Sequence, residues 1–184
     1  MRIYCAPRCG ESGSAAVYAL LEHAFRAEYG GDLPEITKTP NGKPYFPMRQ
    51  DIHFSLSHAR THVLCAISPF PIGADIESPR EISERAIRYY SSPGELEQFD
   101  PLELWVLKES YIKLIGSTLP TVRKITFSSE AGLITSSDKT VTSKLYNIEK
   151  CHAAVSYHNG TAPESIELIT GSRTHNKRPM QPTC

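Results

Sequence analysis

Two stretches limit what this chain can fold into: Gly73-Ala74-Asp75-Ile76-Glu77, closing an apolar run, and Trp105-Val106-Leu107-Lys108-Glu109-Ser110-Tyr111-Ile112-Lys113 further along. Side chains two apart on a strand point to one face, so Asp75 and Glu77 converge while Ile76 turns away. Trp105, Glu109 and Lys113 stand at i, i+4 spacing and share one helical face. A fold that brings these faces together gathers three carboxylates around one ammonium. Like charges that close repel strongly unless a cation sits among them. A hard divalent ion with oxygen ligands, such as magnesium, fits the set, and the grouping suits chemistry on a phosphate or diphosphate. Each stretch alone also has an ordinary explanation. Strand-end carboxylates are commonly solvated, and Glu109 with Lys113 can be a helix-surface ion pair worth about 0.2–0.5 kcal/mol.

The 184 residues suffice for a core in one domain, or in two small halves packed together. With 40% hydrophobic and 22% charged residues the composition is that of a soluble globular protein. Lys plus Arg and Asp plus Glu both number 20, so no overall field selects nucleic acid or membrane as a partner. No apolar run reaches the length of a membrane span, and the first nine residues lack the apolar core of a signal peptide. The expectation is a cytoplasmic protein. Cys65 and Cys151 lie in apolar strand-like runs and read as core residues. Cys5 and Cys9 are spaced loosely like a metal pair, but no second pair follows, and a reducing compartment suits them better.

Periodicity divides the chain into strands and helices. Residues 2–6 read as a strand, and residues 14–29 as a helix with Val17, Leu20, Leu21, Ala24 and Phe25 on one face, closed by Gly30-Gly31. The turn-rich Thr39-Pro40-Asn41-Gly42-Lys43-Pro44 follows. Strands are expected over residues 54–58, 63–68 and 72–77, and Pro79 marks a midpoint. Beyond it come a helix over 82–90, a capped helix start at Ser91-Ser92-Pro93-Gly94-Glu95, and a long helix over 102–115. Strands at 125–127, 144–148, 153–157 and 165–169 complete the reading. The runs 62–68 and 151–157 are faintly alike, which suits an α+β fold of two similar halves, residues 1–78 and 79–170, related by an internal pseudo-twofold. Residues 171–184 are polar, basic and proline-bearing, and read as disordered.

Four motifs stand in order: Gly42-Lys43-Pro44, Phe54-Ser55-Leu56-Ser57-His58, Gly73-Ala74-Asp75-Ile76-Glu77, and Trp105-x-x-Lys108-Glu109-Ser110-x-x-Lys113. Together they resemble the 4′-phosphopantetheinyl transferases of the Sfp type, well over roughly residues 40–120 and in outline on either side. The resemblance implies a monomer with a pseudo-dimeric α+β fold and its site in the cleft between the halves. It implies transfer of the phosphopantetheine arm of coenzyme A to a serine of an apo acyl or peptidyl carrier protein, with magnesium, releasing adenosine 3′,5′-bisphosphate.

Residue by residue, the resemblance makes Asp75, Glu77 and Glu109 the metal ligands, with Glu109 also the proposed general base. Lys113 and His58 join Glu109 as catalytic candidates. Lys43, Ser57, His58 and Lys113 are the coenzyme A contacts. Lys43 alone would be a turn lysine, and His58 alone a strand-end histidine. The chain departs from the family pattern after Lys113, at Ala74, and in its short length, which bears on coenzyme contacts and carrier choice more than on the metal site. Arg80, Arg85 and Arg88 form a basic cluster that is either a solvated helix face or a landing patch for an acidic carrier helix. Two rival functions use the same residues: a magnesium-dependent nucleotide diphosphate hydrolase, and a non-catalytic module that binds coenzyme A or a carrier.

Overall fold

Alternation between faces decides how the strands stack. The computed structural model describes residues 1–8, 10, 12–158 and 160–169; Cys9 and the 171–184 tail, both singled out above, lie outside the described residues. β1 (Arg2–Pro7) buries Ile3, Tyr4 and Cys5. α1 (Gly13–Tyr29) starts where the Ser12 hydroxyl accepts from Ala15 N, and buries the stripe Val17, Leu20, Leu21, Ala24 and Phe25. A small hairpin, β2 (Thr37–Lys38) and β3 (Pro44–Tyr45), holds the Gly-Lys-Pro turn. β4 (His53–His58), β5 (His62–Ser68) and β6 (Ile72–Glu77) follow.

Helices then alternate with short connections. α2 (Glu84–Tyr90) is capped by Ser83, two residues later than the 82–90 helix expected. α3 (Pro93–Leu96) and α4 (Pro101–Ile115) each begin with a capping box and a proline in the first turn. After a 3₁₀ turn (Leu119–Arg123) come β7 (Phe127–Glu130), β8 (Leu133–Ser136), β9 (Thr142–Ile148), β10 (Cys151–Tyr157) and β11 (Glu167–Leu168). The strand expected at 125–127 thus begins only at Phe127, because the Ile125 carbonyl is taken by Lys108.

One sheet has the order β11-β1-β5-β4, antiparallel except where β1 meets β11, and a second, all antiparallel, runs β6-β10-β9-β8-β7. Their central strands, β5 and β10, are buried along nearly their whole length. On β5, Val63, Cys65 and Ile67 pack on α1, while Leu64 and Ala66 meet Ile72, Ala74 and Ile76 of β6 and Ala153 and Val155 of β10. On the far side of the second sheet, Leu104, Leu107, Tyr111 and Leu114 of α4 cover Ala154, Ile134 and Phe127. The described chain is therefore a mixed α+β stack of helix, sheet, sheet and helix. None of its helices is long and apolar enough to cross a membrane. Alternation along β6 leaves Gly73, Asp75 and Glu77 facing α4.

Candidate active site

β6 and α4 touch backbone to backbone. A Cβ on Gly73 would lie 2.0 Å from the Ser110 carbonyl oxygen and 2.3 Å from Leu114 N, so no larger residue fits there. Ser110 is small for the same reason: its hydroxyl donates back to the Leu107 carbonyl and meets Ser156 Oγ of β10 at 2.7 Å. This contact lays the acidic edge of β6 along the Trp105–Glu109–Lys113 face of α4.

Along that seam the side chains pair across the two elements. Lys113 Nζ donates to Asp75 Oδ1 at 2.6 Å and to the Leu56 carbonyl at 3.3 Å. Trp105 Nε1 donates to Glu77 Oε1 at 3.1 Å, and Arg80 grips both Glu77 oxygens at 3.3 Å. Glu109 stands between the two pairs. Burial raises its carboxyl above the ordinary value, the charges of Asp75 and Glu77 add to the rise, and Lys113 opposes it. Three carboxylates thus line the seam, Asp75 on the Lys113 ammonium and Glu77 on the Arg80 guanidinium, and Asp75 Oδ2 is buried with no hydrogen-bond partner among the described residues.

An orphaned carboxylate oxygen beside a carboxyl destabilised by like charge fits a hard cation in donor chemistry and in charge. The side-chain arrangement itself is not a ready cage: among the described residues no group of three acids, histidines or cysteines is placed to hold a metal ion. Arg80 and Lys113 take up carboxylate oxygens that a cation would need.

The remaining candidates divide. Ser57 is buried within the first-to-second-sheet contact, donating to Asp75 Oδ1 at 2.7 Å and accepting from Ile76 N at 3.3 Å. With Ser55, which accepts from Ala74 N at 2.8 Å, it bridges β4 to β6 where the backbones do not pair. Its visible work is to fix Asp75. Lys43 reaches out of the β2–β3 turn to the end of α4, donating to the Leu114 carbonyl at 2.8 Å, while Asn41 Nδ2 donates to the Gly116 carbonyl at 2.9 Å. Gly116 ends α4 in the left-handed conformation, φ 65°, that leaves those last carbonyls free to be capped. Burial lowers the Lys43 ammonium to about 8. A cavity of about 260 Å³ opens here, with Lys43 and Lys113 among its walls. His58 stands apart from the acids, exposed at the end of β4, with its ring over Gly13 at the start of α1.

Two residues quoted in the sequence without a role of their own, Lys108 and Glu95, support the site from beneath. Lys108, between the motif's Val106-Leu107 and Glu109, is 1% exposed and carries the only fully buried ammonium among the described residues. It pairs with buried Glu95 at 3.0 Å and donates to the Val122 and Ile125 carbonyls at 3.1 and 2.9 Å. Glu95 also accepts from Ser92 N and Phe127 N, so one ion pair ties α3, α4 and β7 together. Lys108 is a brace beneath the cleft, not part of its wall. Within the basic cluster, Arg80 pairs with Glu77 and Arg88 with Glu84, so two of its three charges are locally matched.

Comparison with known proteins gives the same direction as the motifs. No protein-family model matches the chain. It is 40% identical over 89 residues to the 4′-phosphopantetheinyl transferase gsp of Aneurinibacillus migulanus, covering 43% of this chain and 37% of that protein. It is 41% identical over 88 residues to the 4′-phosphopantetheinyl transferase Sfp of Bacillus subtilis (strain 168), covering 42% and 39%. A 4′-phosphopantetheinyl transferase of Bacillus pumilus, psf-1, matches at 31% over 109 residues, covering 53% and 47%. The match spans less than half the length of each of these relatives. Over that shared segment the chain is similar to the 4′-phosphopantetheinyl transferases, the enzymes its motifs resemble.

Proposed function

We propose that the chain transfers the phosphopantetheine arm of coenzyme A to a serine hydroxyl of an apo carrier protein, releasing adenosine 3′,5′-bisphosphate. The observation that supports it most is the meeting of Asp75, Glu77, Glu109 and Lys113 along the β6–α4 seam, in a chain similar to enzymes of that name. Lys113, now held on Asp75, is the cation best placed to move onto a diphosphate oxygen and offset charge on the leaving bisphosphate. Glu109, its carboxyl raised by burial and by its acidic neighbours, is suited to take the serine proton near neutral pH. Asp75, Glu77 and Glu109 would hold the magnesium ion, which supplies neutralisation of the diphosphate charge. Lys43, at the cavity wall, and His58, over the start of α1, are the donors we assign to the nucleotide's phosphates, with Ser57 acting through Asp75.

The architecture is part of the same reading. The strand orders β1-β5-β4 and β6-β10-β9 are alike, each with one long helix packed on its outer face. We infer two related halves, residues 1–78 and 79–170, in which β6 is the strand that the first half hands to the second half's sheet. A monomer in the cytoplasm, acting on coenzyme A and a carrier, completes the proposal.

The test is to follow adenosine 3′,5′-bisphosphate by chromatography with coenzyme A and magnesium, with and without apo acyl and peptidyl carriers. Release that requires a carrier supports transfer. Release at the same rate without one indicates the hydrolase instead, and calorimetric binding of coenzyme A with no release indicates the binding module.

A further inference from the structure

A second cluster of reactive side chains lies outside the β6–α4 seam, where the turns of two hairpins come together. The β4–β5 turn contributes Arg60 and Thr61 with His62 as the first residue of β5, and the β9–β10 turn contributes Glu149 and Lys150 with Cys151 as the first residue of β10. These residues line a cavity of about 530 Å³. His62, 5% exposed, presents Nδ1 to Cys151 Sγ at 3.6 Å and Nε2 to Glu149 Oε2 at 3.7 Å. Thr61 Oγ1 sits 3.0 Å from His62 Nδ1 and 3.3 Å from the sulfur, and Ser78 Oγ lies 3.6 Å from the sulfur on another side. Glu149 is held at φ 53°, a left-handed conformation that glutamate rarely adopts, in the turn that aims it at the imidazole.

The order of these groups decides what they can do. A metal ion would need the thiol, the imidazole and the carboxylate to face a common point. Here the ring lies between the other two, one nitrogen toward each, so the cluster is a relay of thiol, base and orienting acid. Neither Cys5 nor Cys65 has an imidazole within hydrogen-bond reach among the described residues. Burial pushes the Cys5 thiol up to about 12, with Cys151 and Glu149 adding to the rise, and burial alone raises the fully enclosed Cys65 well above the ordinary range.

We propose that Cys151 is a nucleophilic, oxidisable thiol with His62 as its base and Glu149 as the residue that orients and charge-matches that base, reacting with hydroperoxides admitted by this cavity. Cys151 Sγ gives its proton to His62 Nδ1, and the resulting thiolate attacks the terminal oxygen of the peroxide. A sulfur–oxygen bond forms as the oxygen–oxygen bond breaks, so the sulfur is oxidised by two electrons and the peroxide is reduced. The departing oxyanion takes the proton back from His62, leaving a sulfenic acid and an alcohol, or water from hydrogen peroxide. The inference stands apart from the transferase reading, because no residue of the β6–α4 seam takes part.

The experiment treats the full chain with hydrogen peroxide and the sulfenic-acid trap dimedone, then digests it and locates the adduct by mass. The adduct should form at Cys151 roughly tenfold faster than at Cys5 or Cys65. His62→Gln should slow it by roughly tenfold and Glu149→Gln by about threefold. Glu149 has an exposed side chain, so Glu149→Gln keeps the question open to test even if His62→Gln fails to fold. An adduct at Cys151 no faster than at Cys65, or a rate untouched by Glu149→Gln, would overturn the proposal.

Discussion

Glu109 and Lys43 carry charges that the fold holds at a cost, which ties site chemistry to stability. The Glu109 carboxyl is raised, so the folded state binds its proton more tightly than the unfolded chain does. Stability from this group is therefore lost as pH rises through and above the ordinary glutamate range. Glu109→Gln should melt at a higher temperature than the parent at pH 7, with the two curves converging near pH 4; an equal or lower melting temperature at pH 7 would contradict the assignment. Lys43 has the opposite linkage. Its folded value is about 8 against 10.5 for an ordinary lysine, so between those values the unfolded chain holds a proton that the folded chain has lost. Stability from Lys43 thus rises with pH across that window, and Lys43→Met should flatten the rise in urea unfolding series taken from pH 8 to pH 10.5. Parallel curves for the two proteins would mean that the ammonium is not buried at the end of α4.

The decisive contact between elements is β6 against α4, and Gly73 sets its distance. Gly73→Ala would force a methyl into the backbone of Ser110 and Leu114, and should cost about 3 kcal/mol in denaturant unfolding. It should also disturb the Trp105–Glu77 hydrogen bond, visible as a shift in the emission of the single tryptophan. An alanine variant of parent stability and parent emission would show that the two elements are further apart. This seam was legible in the sequence because both elements carry their chemistry at their own period, two along β6 and four along α4. α1 was legible for a similar reason, its apolar stripe being unbroken. The Lys108–Glu95 pair was not, since a charged residue on a helix reads as solvent-facing and its partner lies on another element. β7 and β8 were misplaced or unseen because Ser128, Ser129 and Thr135 give them no apolar alternation, and they are held instead by ladder bonds and the Ser128–Thr135 hydroxyl contact.

At the scale of the molecule, the two sheets are joined less by backbone pairing than by a shared apolar layer and by Ser55 and Ser57, which bridge β4 to β6. That explains why Ser57 was found by motif while its place was not: its hydroxyl is spent on Asp75, which ties the first sheet to the acidic edge of the second. The spread of the candidates follows from the same layout. Asp75, Glu77, Glu109 and Lys113 gather on one seam, Lys43 enters from a separate hairpin at the end of α4, and His58 stands beyond them over α1. A long substrate with phosphates at several points would engage such a line of groups, as coenzyme A would in the function proposed. The most direct measurement is the intact mass of apo carrier proteins incubated with this chain, coenzyme A and magnesium. The mass should rise by one phosphopantetheine arm on a carrier serine, with no rise without magnesium or in Glu109→Gln and Lys113→Met; no rise on any acyl or peptidyl carrier, from protein shown to be folded, would rule out transfer by this chain.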